Sequence, residues 1–152
     1  MIDLAVRPID DDDIAAAVAL LVAGSLTPQA EIPRNLADYR DAVIESRARG
    51  GDVLVAVRGS EVIGVCQLLI FRHFQHTGGW CAELESVHVR SDQRSQGVGA
   101  QLLRAAEELA RRRGCYRIQL TSNEVRMDAH RFYETNGYQP SHRGFKKSLL
   151  DP

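Results

Sequence analysis

Two glycines, Gly97 and Gly99, stand one residue apart where the sequence predicts the start of a helix. Glycine lowers helix stability by about 0.5–1 kcal/mol relative to alanine, so local stability does not explain this placement. The N-terminus of a helix exposes unpaired backbone N–H groups and a partial positive charge, and it therefore binds phosphate groups. Because the two glycines have no side chains, a pyrophosphate can approach these N–H groups closely. The segment RSQGVG (94–99) is thus predicted to bind a phosphorylated ligand.

Two common phosphate-binding motifs do not fit this segment. A dinucleotide-binding fingerprint needs a third glycine, but the residue there is Leu102, and no acidic residue ends the next strand. A Walker loop needs a lysine after its last glycine, and no lysine lies near. The pattern that remains is R-x-x-G-x-G, for which a tight turn before a helix is the alternative interpretation.

Glu83 and Glu85 are carboxylates on the strand that precedes this segment. Because side chains alternate along a strand, both are expected on one face of the sheet. A carboxylate there can accept the proton of an ammonium group, directly or through water, or bind its positive charge. Simple exposure at the sheet surface is the alternative for both. His88 is expected on the opposite face, as a packing residue.

The histidines and cysteines indicate a functional site less clearly than the glycines and glutamates do. His73 and His76 are close enough in sequence to hold a metal, but no third ligand is evident, so no metal site is predicted. The three cysteines are scattered without a CxxC spacing, which indicates neither a disulfide framework nor a zinc site.

Hydrophobic patterns predict the elements that must position these groups. The acidic residues 10–13 are expected to cap the first helix and supply carboxylates for its first turn. The order β-α-α-β-β-β-α-β-α-β predicts one mixed α/β domain. Strands are expected at 4–9, 52–57, 61–71, 80–89, 115–122 and 144–150. Helices are expected at 14–23, 36–49 and 97–113, with a last one from 126 that ends at Asn136–Gly137.

Length and composition favour one domain over residues 1–152, which can form a core without a disulfide or a metal. The net charge of −1 provides no basic field, which argues against a nucleic-acid partner. The longest apolar stretch, residues 14–24, is too short to span a bilayer, and the acidic residues before it are unlike a signal peptide. A cytoplasmic protein without a membrane partner is expected.

The R-x-x-G-x-G segment after a strand resembles the pyrophosphate loop of the GNAT family of N-acetyltransferases. The segment LESVHV (84–89) resembles the fourth strand of that family, LTSN (120–123) the end of its fifth, and DAHRFYETNGY (128–138) its last helix. The resemblance implies the single-domain GNAT fold. That fold is expected to have a mixed, mostly antiparallel sheet of about six to seven strands, a splayed central strand pair and about four helices.

The resemblance also implies acetyl-coenzyme A as the cosubstrate, with no metal. Backbone N–H groups of the loop would hold the pyrophosphate. The pantetheine arm would insert beside the fourth strand as a pseudo-strand, where an N–H group polarises the thioester carbonyl. Asn123 would bind the pantetheine or, alternatively, cap the next helix. The residues so implied in cofactor binding are Val87, His88, Val89, Arg94, Ser95, Gln96, Gly97, Val98, Gly99, Ala100, Asn123, Ala129 and Phe132.

The implied reaction passes the acetyl group from the thioester to a neutral primary amine by direct attack. Tyr133 is then the candidate general acid, because a phenol with an ordinary pKa near 10 is protonated at neutral pH and can donate to the leaving thiolate. Glu85 or Glu83 is the candidate general base. Glu85 lies nine residues before Arg94, the spacing at which histone-acetylating relatives carry their base.

These motifs do not determine the acceptor. The segments NEVRMDAHRFY and GYQPSH, with a closing FKK, are similar to those of aminoalkylphosphonate N-acetyltransferases. A small-molecule amine is the expected acceptor, and a peptide or protein amine is an alternative. A non-catalytic sensor of acyl-coenzyme A is a further alternative, but a sensor would need neither Tyr133 nor the two glutamates. The resemblance leaves a homodimer open.

Overall fold

The computed structural model describes residues 3–150, which divide into two compact units. The first unit ends at Gln119 and contains one sheet with three long helices. The second begins at Leu120 and contains one helix. The expectation of a single domain over residues 1–152 stays a prediction.

The five described strands of the first unit lie in chain order across one sheet. Neighbouring strands are antiparallel except the last two, which are parallel, so the predicted mixed and mostly antiparallel sheet is confirmed. None of the helices within residues 3–150 is both long and apolar enough to cross a membrane. The strands are β1 (Leu4–Pro8), β2 (Asp52–Arg58), β3 (Glu61–Arg72), β4 (Trp80–Val89) and β5 (Cys115–Gln119). The long helices are α1 (Ile14–Gly24), α2 (Leu36–Ala48), α3 (Val98–Arg112) and, in the second unit, α4 (Met127–Thr135).

The described sheet has five strands, so the expectation of six to seven is wrong. Residues 144–149, predicted as part of a last strand, carry neither helix nor strand, and β5 ends three residues earlier than expected. An alternating pattern specifies only which side chains share a face. A strand also needs a neighbour for its N–H and C=O groups, and the pattern cannot supply one.

Helix α3 packs on one face of the sheet, with its first residue close to the end of β4. Gly64 on β3 permits this approach, because a Cβ there would lie 3.0 Å from Leu102 Cδ1 and 3.2 Å from Val98 Cγ1. Gly64 lies directly opposite Val89, the last residue of β4. The packing therefore holds the N-terminus of α3 beside the end of β4. The buried residues of α3 are Val98, Leu102, Leu103, Ala106 and Ala110.

Helices α1 and α2 cover the other face. A buried cluster joins Val18 of α1 and Val43 of α2 to Val65 of β3. Val65 follows Gly64 along β3, and neighbouring side chains of a strand point to opposite faces. The sheet thus separates α3 from the two N-terminal helices.

Asp13 ties the start of α1 to β1. Its carboxylate accepts hydrogen bonds from Arg7 Nη1 at 2.6 Å, from Arg7 Nη2 at 3.0 Å and from the backbone N–H of Asp10 at 2.8 Å. These bonds, chiefly those from Arg7, lower the pKa of Asp13 below its ordinary value. The acidic residues before α1 therefore do more than begin the helix, because one of them also holds it to the sheet.

The change Asp13→Asn is expected to lower the free energy of unfolding by about 1–2 kcal/mol at pH 7, because hydrogen bonds to a charged group are lost. The loss is not larger because Arg7 is partly exposed to water. A carboxyl group whose pKa falls on folding stabilises the protein above its unfolded pKa of about 3.9, and this contribution is lost as the pH falls through the folded pKa. Urea unfolding at pH 7 and pH 3 measures both. Asp12→Asn, at an exposed neighbour, is the control. An Asp13→Asn deficit of equal size at both pH values would contradict this assignment.

Candidate active site

A β-bulge interrupts the pairing of β3 with β4. The register shifts by one residue between Val65 and Gln67, so two residues of β4, Ser86 and Val87, lie opposite the single residue Cys66. Ser86 has a φ of 53°, in the left-handed region that residues other than glycine rarely adopt. Bulges and residues of this kind are concentrated at functional sites.

The bulge brings Glu85 and His88 onto the same face of the sheet. Glu85 lies opposite Gln67 and His88 lies opposite Val65, and directly opposite residues share a face. This is the face of α1, where a Cβ at Gly24 would lie only 2.2 Å from His88 Nδ1. The prediction that His88 points away from Glu85 is therefore wrong, because the extra residue shifts the alternation of side chains.

Glu83 shares the face of Glu85, as their spacing predicts, but its surroundings differ. Its Oε2 accepts a hydrogen bond from Gln119 Nε2 at 3.0 Å. Glu83 and Gln119 also form the last pair between β4 and β5. Glu83 is thus tied to the end of β5, whereas Glu85 lies beyond this pairing and beside the bulge.

The second half of β4 has an edge without a strand partner among residues 3–150. The backbone N–H of Arg90 donates to the carbonyl of Ile63 at 2.9 Å, on the β3 side. Since backbone directions alternate along a strand, Val87 and Val89 direct their N–H and C=O groups away from β3. Arg94 Nε donates to the carbonyl of Val89 at 3.2 Å. The N–H and C=O of Val87 and the N–H of Val89 line the edge where a pseudo-strand is expected.

The loop between β4 and α3 presents backbone N–H groups to an anion. Ser95 has a φ of 60°, and Gly97, with a φ of 80°, directly precedes the right-handed residue Val98. A left-handed residue next to a right-handed one forms a concave nest of N–H groups. Gly97 caps α3, and a Cβ added to it would meet nothing within 4 Å. Ser95, Gln96 and Gly97 are exposed. The residues present therefore fit a pyrophosphate over the N-terminus of α3, where Val98, Gly99 and Ala100 form the first turn.

Arg58 of β2 braces this loop, a role that the sequence did not reveal. Its Nη1 donates to Gln93 Oε1 and, at 3.0 Å, to Gln96 Oε1. Gln96 Nε2 in turn donates to the carbonyl of Asp92 at 3.1 Å. No motif marks Arg58, since it lies 35 residues before Gln93 and only the fold brings them together.

The second unit carries the remaining predicted residues on or just before α4. Ala129, Phe132 and Tyr133 are half-buried, so the helix face predicted from their spacing is present. The ring centroid of Tyr133 lies 5.2 Å from that of Phe132 and 5.9 Å from that of Tyr138. The N-cap of α4 is Arg126, so Asn123 does not cap this helix, as the alternative interpretation expected. Asn123 Oδ1 accepts the N–H of Val125 at 3.1 Å and so forms a turn before the helix. Its contact with pantetheine stays a prediction.

The histidines of the β3–β4 connection pack with an aromatic residue. His73 Nδ1 and the hydroxyl of Tyr116 are 2.5 Å apart, and the rings of His76 and Tyr116 have centroids 4.5 Å apart. Within the part of the chain that the structure describes, no group of three or more His, Cys, Asp or Glu residues is arranged to hold a metal.

Comparisons with known proteins show what this chain is similar to. The model of the acetyltransferase (GNAT) family matches residues 21–138. The aminoalkylphosphonate N-acetyltransferase of Salmonella typhimurium is 35% identical over 140 residues, 92% of this chain and 86% of that protein. The glucosamine 6-phosphate N-acetyltransferase of Trypanosoma brucei brucei is 27% identical over 152 residues, 98% of each chain. Among solved structures, a transcriptional regulator from Bacillus halodurans has a TM-score of 0.88 at 33% identity, over 97% of this chain and 100% of that one.

Proposed function

The chain belongs to the acetyltransferase (GNAT) family and is an acetyl-coenzyme A-dependent N-acetyltransferase, and from this premise we propose that it acetylates a primary amine of a small molecule by direct attack. The curated relatives support a small acceptor, because their names specify an aminoalkylphosphonate and glucosamine 6-phosphate. The observation that carries the proposal is the order of features along β4. Glu85, the bulge, the unpaired edge and the N–H nest follow one another over residues 85–97.

The unpaired edge and the loop would hold acetyl-coenzyme A, which supplies the thioester. The N–H groups of Ser95 to Ala100 would bind the pyrophosphate, with Arg58 and its glutamine partners keeping the loop in shape. Val87 and Val89 would hydrogen-bond the pantetheine arm along the edge of β4. A backbone N–H beside the bulge would donate to the thioester oxygen, where negative charge develops during attack.

We assign the general acid to Tyr133 and the general base to Glu85. The hydroxyl of Tyr133 would donate its proton to the sulfur of the departing thiolate. Glu85 would accept the ammonium proton of the acceptor, directly or through water. Glu83 is the weaker candidate base because it lies at the end of the β4–β5 pairing, whereas Glu85 lies beside the bulge, and Glu83 would instead contribute negative charge that attracts the acceptor.

The change Glu85→Gln is expected to lower kcat/KM for the amine about tenfold at pH 7. This loss is smaller than the largest rate effects of general base catalysis, because amine that is already neutral reacts without a base. The deficit should shrink toward pH 9.5, where a larger fraction of the amine is already neutral. Kinetics from pH 6.5 to 9.5 measure this profile. Glu83→Gln is the matched control, because it removes a carboxylate from the same face and should lose activity evenly across the range. A Glu85→Gln profile parallel to that of the unsubstituted protein would refute the base.

The activity itself is tested by release of coenzyme A thiol over a panel of aminoalkylphosphonates, amino sugars, amino acids, simple alkylamines, aminoglycosides and peptides. The protein's own thiols give little background, because Cys66 and Cys81 are buried and burial raises the pKa of Cys66 to about 12 and that of Cys115 above its ordinary value. Release with a small amine supports the proposal. Release with peptides alone would favour a protein-modifying enzyme. No release, with acetyl-coenzyme A still raising the Tm, would favour a sensor.

A further inference from the structure

A partly open pocket of about 90 Å³ lies in the first unit between the sheet and helices α1 and α2. Its walls are apolar, with Val18 and Val43 from the helices and Val65 from β3. Gln67, Ser86 and Tyr39 are its polar lining residues, and no charged side chain lines it among residues 3–150. An occupant of this pocket must therefore be uncharged and largely apolar, since an unpaired charge or polar group would be costly to bury.

Tyr39 presents its ring to the pocket and its hydroxyl elsewhere. The hydroxyl donates to Glu31 Oε2 at 2.5 Å and accepts the backbone N–H of Ile32 at 3.0 Å. Both partners belong to the connection between α1 and α2. These bonds satisfy the polar end of Tyr39 and fix its ring as a wall, so the pocket keeps its apolar character.

The polar end of the pocket lies next to Glu85, the proposed base on β4. Ser86 is the left-handed residue of the bulge and follows Glu85 directly. Gln67 lies opposite Glu85 on β3, so both side chains share the face on which the pocket lies. A molecule whose amine meets Glu85 can therefore place its remaining atoms in the pocket.

We infer that this pocket receives a short aliphatic substituent of the acceptor amine, about three or four carbons long. The length follows from the volume, because an apolar cavity of about 150 Å³ holds benzene and this one is smaller. The inference rests on the proposed function and adds the acceptor's class: a primary amine with a compact apolar side group. An anionic group such as a phosphonate would find no cation in this lining and would have to bind elsewhere.

The series ethylamine, propylamine, butylamine and hexylamine tests the inference, because these amines differ in length but hardly in basicity. Burial of each added methylene is expected to raise kcat/KM about fourfold up to butylamine, roughly fifteenfold in all, and hexylamine should gain nothing more. A flat profile, with thiol still released, would overturn the inference and leave the proposed function standing.

Ala42→Trp places a large ring at the exposed rim of the pocket, on α2. The preference for butylamine over ethylamine should fall from about fifteenfold to less than threefold, since fewer methylenes can then be buried. Ala48→Trp is the matched control, because Ala48 lies on the same helix, is also exposed and is not part of the pocket lining, and this variant should retain the full preference. Equal preferences in the two variants would overturn the inference.

Direct binding separates failure of the pocket from failure of the reaction. Calorimetry measures the affinity of ethylamine and butylamine for the protein with coenzyme A present. If no amine releases thiol but butylamine still binds tightly and Ala42→Trp abolishes the difference, the pocket stands and the proposed reaction falls. Equal affinities for the two amines would overturn the pocket whatever the activity.

Discussion

Replacement of Tyr133 by phenylalanine is expected to lower kcat at least about tenfold and up to about 10⁴-fold, the reach of general acid catalysis. The reason is that a thiolate leaving without a proton is a poorer leaving group, and phenylalanine keeps the ring but has no proton to donate. The affinity for acetyl-coenzyme A should change less than about twofold, because the ring remains and so does its packing with Phe132, at a distance of 5.2 Å between ring centroids. Steady-state kinetics together with calorimetric titration of the cosubstrate separate the two quantities.

Tyr138→Phe is the matched control for this experiment. The Tyr138 ring lies 5.9 Å from that of Tyr133 in the same unit, so the control removes a hydroxyl from the same ring pair. It should leave kcat within about threefold of the unsubstituted protein, because the proposed mechanism assigns no proton transfer to Tyr138. Similar losses in both variants would indicate a packing role for the ring pair. An unchanged kcat in Tyr133→Phe would remove Tyr133 from the mechanism.

Replacement of Gly97 by valine is expected to weaken acetyl-coenzyme A binding about 10- to 100-fold, or about 1.4–2.8 kcal/mol. A Cβ at this position meets no protein atom within 4 Å, so the new side chain projects into the open space in front of the loop. There it would keep a pyrophosphate from the N–H groups at the start of α3. Titration of acetyl-coenzyme A by calorimetry gives the Kd directly.

Backbone strain is the competing cause, and Gly114→Val isolates it. Gly114 follows the other end of α3, has a φ of 74° against 80° at Gly97, and likewise has no atom within 4 Å of an added Cβ. Both variants should lose comparable unfolding free energy, because a side chain in the left-handed region costs about 1–2 kcal/mol. Only Gly97→Val should lose affinity for acetyl-coenzyme A. Full affinity in Gly97→Val, or an equal loss in both, would contradict the loop assignment.

Local patterns were sufficient for the elements that carry the candidate site. β4 was predicted at residues 80–89 and spans Trp80–Val89. Helix α3 was predicted to begin at Gly97 and begins at Val98, with Gly97 as its left-handed cap. Both elements are specified by residues close together in the sequence. An apolar run specifies the strand, and a glycine, an apolar stripe and terminal arginines specify the helix.

The sequence by itself determined the family, the reaction class and the order of most elements, because motif residues and hydrophobic periods are local properties of the chain. Only the tertiary structure decided that His88 joins Glu85 on one face, that Arg58 braces the loop and that a pocket lies beside Ser86. The physical reason is strand register. It depends on contacts between distant residues, and one extra residue at a bulge turns every side chain beyond it to the other face.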